Sequence, residues 1–254
     1  MKTMKRILTA CVLFVLASCS NPKSDIERID EFYQVLLSQD GMTDGFLRQN
    51  LSQGVLDRIW EADFPSSYSY WALRTGYQDG PSKDSSVEEI KPLGNGWYEV
   101  TYTDLGFRGI TDVKMEGGKI ADFRPFNVPF KAARGYFRRS DTREDRLPVA
   151  IRTEEELLHY FGMAAVMGKD GEPTAVDFDK SFVIPVAFPE TDRETDIVVD
   201  SFQRTGSRQL TLTVSTRRGE PQSYTVLPLE ILVVDGFYRD FEIVIVADGK
   251  PYSG

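Results

Sequence analysis

The sequence predicts an α+β fold: helices on an antiparallel sheet, then a β-rich, sandwich-like region that carries one short helix. Three observations predict it. Apolar residues recur at helical spacing between residues 24 and 62, and again briefly near 154–161. From residue 87 onward the other apolar stretches read as strands, several of them alternating with period two. The breaks between strands are short and glycine-rich, which favours hairpins over crossover helices.

The first twenty residues stand apart from that pattern. Lys2, Lys5 and Arg6 precede an apolar run from Ile7 to Leu16, too short to cross a bilayer, which needs about 20 residues. A basic head, a short apolar middle and small residues behind it form a secretory signal. The run ends Leu16-Ala17-Ser18-Cys19, which resembles the lipobox of bacterial lipoproteins. The resemblance implies cleavage before Cys19 and acylation of its thiol and new amino group. Residues 1–18 are then signal peptide and 19–23 a polar leash. Each buried lipid methylene contributes about 0.8 kcal/mol, so two or more chains hold firmly. The expected location is the cell envelope, on the outer membrane in preference to the inner, facing the periplasm or the surface.

The chain carries 30 basic and 39 acidic residues, for a net charge of −9. Losing residues 1–18 removes three basic residues and no acid, which takes the charge to −12. That balance argues against nucleic acid, which rewards basic surfaces. Of the two cysteines, Cys11 lies in the signal and Cys19 is the acylation site. No thiol is left for a disulfide, a zinc site or a nucleophile, so core packing must hold the fold.

Residues 24–39 read SDIERIDEFYQVLLSQ, with Ile26, Ile29, Phe32, Tyr33, Leu36 and Leu37 on one stripe and Ser24 and Glu27 spaced as a capping box. Residues 46–62 give a second stripe, in one piece or two. An aromatic loop follows. Then come VEEIKPL, WYEVTYT, GITDVKM and KIADFRPF, separated by turns such as Gly94-Asn95-Gly96 and Glu116-Gly117-Gly118. The Phe32-Tyr33/Leu36-Leu37 helix and the VKMEGGKIADF strands resemble the NTF2-like superfamily of cone-shaped α+β folds, and within it small lipoprotein domains of unknown function. That resemblance implies a domain over residues 24–130 with a hollow between sheet and helices.

Residues 131–148 concentrate Lys131, Arg134, Arg138, Arg139, Arg143 and Arg146. They read as a basic linker, the alternative being a docking strip for an acidic partner or phosphate. From 149 to 254 the sequence gives TEEELLHYFG, a short helix with Thr153 and Glu156 as a second capping box, then five strand-like runs. TEEEL, VDFDKSFVIPV, QLTLTV and YTVLPLEILVV are similar to the C-terminal domain of the PrcB family, described as protease-complex or protease-stabilising subunits. The family's Gly-Gly-Tyr stretch is replaced here by PETDRETDI.

Chemistry-bearing residues are sparse. His159 is the single histidine and sits in a helix four residues after Glu155, with no nucleophile motif beside it. The carboxylates Asp63, Asp104, Asp177 and Asp179 could do acid–base work, but they follow no calcium-loop pattern. Tyr68, Tyr70, Trp71 and Tyr77 fall within ten residues and, with Trp97, form the candidate ligand-binding set. Such rings are equally ordinary core material. The expectation is a non-enzymatic binding or adaptor module for an envelope protein or a ligand. It is membrane-bound through its lipid and has no catalytic residue, metal or cofactor. The alternatives are an enzyme or small-ligand receptor using Asp63, Tyr70 or Asp104 in the first pocket, and a protease-regulating subunit.

Overall fold

The computed structural model describes residues 23–61, 72–75, 85–141, 146–164 and 172–252. Helix α1 spans Asp25–Ser38 and starts at the Ser24 cap: Ser24 Oγ accepts the Glu27 amide at 3.2 Å, and Glu27 Oε2 accepts the Ser24 amide at 2.7 Å. It ends where Gln39 turns left-handed at φ 63° and returns its amide to Val35. The second helical stretch is two helices, α2 (Asp44–Asn50) and α3 (Gln53–Glu61). The break has a cause in the sheet: Leu51 forms a bridge with Ile120, and the Ser52 amide donates to the Ile120 carbonyl at 2.9 Å.

Strands β1 (Ser86–Gly94), β2 (Trp97–Asp104), β3 (Phe107–Glu116) and β4 (Lys119–Arg124) form an antiparallel meander in sequence order. The hairpin turns demand left-handed backbone: Gly117 and Gly118 adopt φ 58° and 77°. Side chains alternate across the sheet. Val100, Tyr102, Val113, Met115, Ile120 and Phe123 pack beneath the helices, against Ile29, Phe32, Tyr33, Leu36, Leu51 and Leu56. The intervening residues Trp97, Glu99, Ile110, Asp112 and Arg124 belong to the opposite face.

Within residues 131–148, which the sequence reads as a basic linker, two short segments pair as strands. Strand β5 (Phe130–Ala132) pairs with β11 (Leu229–Asp235), and β6 (Tyr136–Arg138) pairs with β7 (Phe161–Met163). In β6 it is Phe137 that faces solvent, while Tyr136 and Arg138 are half-buried on the other face. Helix α4 (Glu154–Tyr160) starts at Thr153, whose hydroxyl accepts the Glu156 amide at 3.1 Å. The box is half made, because Glu156 Oε2 takes the amide of Arg152 rather than that of Thr153.

Strands β8 (Ser181–Ala187), β9 (Thr191–Gly206), β10 (Gln209–Val226), β12 (Glu242–Ala247) and β13 (Lys250–Pro251) complete the second half, with a short 3₁₀ turn at Gly236–Tyr238. One sheet has the order β13-β12-β10-β9, with β10 and β12 parallel; a second has the order β5-β11-β8. The sheets share a core of Phe182, Ile184, Val186, Leu232 and Val234 from one side and Phe202, Leu210, Leu212, Val214 and Ile245 from the other. Behind the second sheet, Val183, Ala187 and Ile231 pack on Leu157 and Phe161. Pro185 is tolerated because β8 lies at a sheet edge. The chain is therefore α+β, helices over an antiparallel sheet followed by a β-rich sandwich with one short helix.

Candidate functional site

The meander's second face meets the β-rich half along a seam made of charge. Glu99, Asp112 and Arg124 occupy one row across β2, β3 and β4, paired strand to strand. Two carboxylates placed directly opposite each other repel. Arg204 of β9 relieves that repulsion. Its Nη1 donates to Asp112 Oδ1 at 2.5 Å and its Nη2 to Glu99 Oε2 at 2.6 Å, while Ser207 Oγ donates to Glu99 Oε1 at 2.6 Å. Backbone pairing fixes the position of Arg204: its amide donates to the Phe126 carbonyl at 2.9 Å, and the Val128 amide donates to the Phe202 carbonyl at 2.8 Å.

The network is dry. The side chains of Arg204 and Asp112 are 2% and 0% exposed. Burial raises the Asp112 pKa above the ordinary aspartate value, and Arg204 and Arg124 oppose the shift. Asp112 Oδ2 has Arg124 Nη1 at 3.6 Å, beyond hydrogen-bond reach, and Arg204 Nε has no hydrogen-bond partner among the described residues. Arg124 is itself held by aromatic faces, with its guanidinium carbon 3.7 Å from the Trp97 ring and 3.4 Å from that of Phe237. One ring comes from the meander and the other from the β-rich half, so this cation also ties the two together.

Where the seam opens, a groove of about 240 Å³ is lined by Phe107, Arg108, Ile110, Phe126, Gln203, Arg204 and Thr205. Ile110, Phe126 and Arg204 are buried and make its floor. Phe107 is 44% exposed and stands on the meander side, while Gln203 and Thr205 of β9 stand opposite. Arg108 Nε pairs with Glu88 Oε2 at 3.4 Å.

The residues expected from the sequence to form the site are distributed differently. Cys19, Asp63, Tyr68, Tyr70, Trp71 and Tyr77 lie outside the described residues. Trp97 stacks on Arg124 at the seam. Asp104 is buried and tied to the chain: Arg74 donates to both its oxygens, and the Thr75 amide and hydroxyl donate to Oδ2 at 3.2 and 2.8 Å. Asp177 opens the turn before β8; its Oδ1 accepts the Asp179 amide, and hydrogen bonding to Lys180 holds its pKa below the ordinary aspartate value. His159 is exposed in the last turn of α4, edge-on to Tyr160.

Sequence reasoning missed Glu99, Asp112, Arg124 and Arg204. Tyr98, Val100 and Tyr102 alternate in β2, and a charged residue between them, such as Glu99, carries no mark in the sequence that its face is covered. The available signal was that the same face also carries Trp97 and Ile110.

Among the described residues, no group of three or more His, Cys, Asp or Glu side chains is placed to hold a metal, and no helix is long and apolar enough to cross a membrane. No family model, curated protein or solved structure matches the chain.

Proposed function

We propose that this chain is a lipid-tethered envelope protein that acts by binding, with its two halves serving as one rigid body. The seam carries this reading. A buried arginine satisfying two carboxylates from another sheet, and a second arginine clamped between rings from both halves, fix the relative placement of the halves. A surface ordered in advance pays less to bind, because its side chains are already immobilised. The tether is Cys19, acylated at the end of a short polar leash. The layout of helices over a meander is what an NTF2-like first half would have, and the sandwich with α4 behind it is compatible with a PrcB-like second half.

The groove at the seam is the binding surface this reading favours, since both halves contribute to it. Asp104, which an acid–base reading would use, already accepts four hydrogen bonds inside the protein. The test is recovery of the acylated protein from its native envelope after mild crosslinking. One stoichiometric partner supports the binding reading. Recovery of no partner, together with turnover of a small compound by the purified protein, contradicts it.

A further inference from the structure

The groove at the seam presents three different chemistries within a small volume. Its meander wall is the half-exposed ring of Phe107, over an apolar floor of Ile110 and Phe126. Its rim carries Arg108, whose side chain is 56% exposed and whose pairing with Glu88 occupies Nε alone, at 3.4 Å. The terminal nitrogens Nη1 and Nη2 have no partner among the described residues. On the other side, Gln203 Nε2 donates to Asn127 Oδ1 at 3.2 Å, which orients the amide and leaves Oε1 as an acceptor. Thr205 adds a hydroxyl, held at 2.8 Å from that of Thr211. Arg204 in the floor is spent on Glu99 and Asp112, so Arg108 is the cation that the rim offers, and none of the seven lining residues is acidic.

We infer that this groove takes the free C-terminal residue of a partner polypeptide, one that ends in a large apolar side chain. The inference rests on the binding reading above and names the partner's chemistry. A guanidinium fork with two parallel donors matches a carboxylate. The apolar wall accepts the last side chain, and the oriented Gln203 oxygen accepts the last amide. Capture of a terminal carboxylate is an established way to read a chain end. Size selects this occupant over a free fatty acid. A volume of about 240 Å³ falls below the ~300–1,000 Å³ of sites for drug-sized ligands, so it holds one residue and not a long acyl chain.

The experiment uses the chain beginning at residue 20, with a cleavable tag, and fluorescence anisotropy of a labelled hexapeptide ending in Phe. Three competitors separate the occupants: the same peptide as free acid, the same peptide as C-terminal amide, and dodecanoate. The inference expects binding of the free acid and weakening by about tenfold or more for the amide, since charge-assisted bidentate bonds are lost. Arg108→Gln should weaken the free acid to the level of the amide, and Arg108→Lys should recover part of the loss. Phe107→Ala should weaken both peptides alike. Equal binding of acid and amide overturns the inference, as does binding of dodecanoate alone or an Arg108→Gln variant that binds like wild type. Circular dichroism and a thermal melt of each variant separate loss of binding from loss of fold. If no probe binds, the groove assignment falls, while a stoichiometric partner recovered from the envelope would still support the binding reading.

Discussion

At the scale of residues, the seam depends on Arg204. Removing one member of a buried ion pair leaves its partner charged and dry, so Arg204→Ala should cost roughly 3–5 kcal/mol, measured by urea unfolding. Arg204→Met removes the charge but keeps the bulk; it still strands Glu99 and Asp112, so it should cost nearly as much. The triple change that also replaces Glu99 and Asp112 by apolar residues should recover most of the loss. Asp112 gives a pH signature. Its folded pKa lies above the unfolded value of 3.8. Protonated Asp112 is therefore favoured in the fold, and that contribution is present below pH 3.8 and lost as pH rises through the folded pKa. The stability of wild type relative to Asp112→Asn should fall as pH rises from 3.5 toward neutrality, and a flat or rising difference would contradict the burial described here. These residues were hard to read from sequence because a charged residue between apolar ones in a strand normally faces water. Only the β-rich half, more than ninety residues further along, dries that face.

At the scale of elements, local signals served well where the physics is local. The Ser24–Glu27 box needs only four residues, and α1 starts there. Ser24→Ala should cost about 1 kcal/mol, seen as a lowered melting temperature. The glycine turns after β1 and β3 were legible for the same reason. The split between α2 and α3 was less so, because its cause is Ile120, a distant residue that takes Leu51 and Ser52 into sheet pairing. Residues 131–148 read as a connector because six basic side chains stand beside only five apolar ones, whereas Lys131 and Ala132 pair with β11 and Tyr136–Arg138 pairs with β7, partners far away in the chain. Gly109 shows how closely the meander packs under the helices. A Cβ there would lie 2.6 Å from the Tyr102 ring and 2.8 Å from Thr75 Cγ2. Gly109→Ala should therefore destabilise by about 1–3 kcal/mol through overpacking, whereas Gly54→Ala, with open space around it on α3, should be neutral or stabilising. Thermal melts of the two variants check the contrast.

At the scale of the whole molecule, sequence reasoning reached the fold class and the order of its layers, because periodicity and turn chemistry report on both. It could not find the groove, which exists only where Phe107–Ile110 and Gln203–Thr205 meet. The binding account rests on those two halves moving as one. The most direct measurement is urea unfolding followed simultaneously by far-ultraviolet circular dichroism and by the fluorescence of a variant that keeps Trp97 as its sole tryptophan. The account predicts coincident midpoints for that protein and separated ones once Arg204→Ala is added. Midpoints already separated with Arg204 in place would show that the halves unfold independently, and would contradict it.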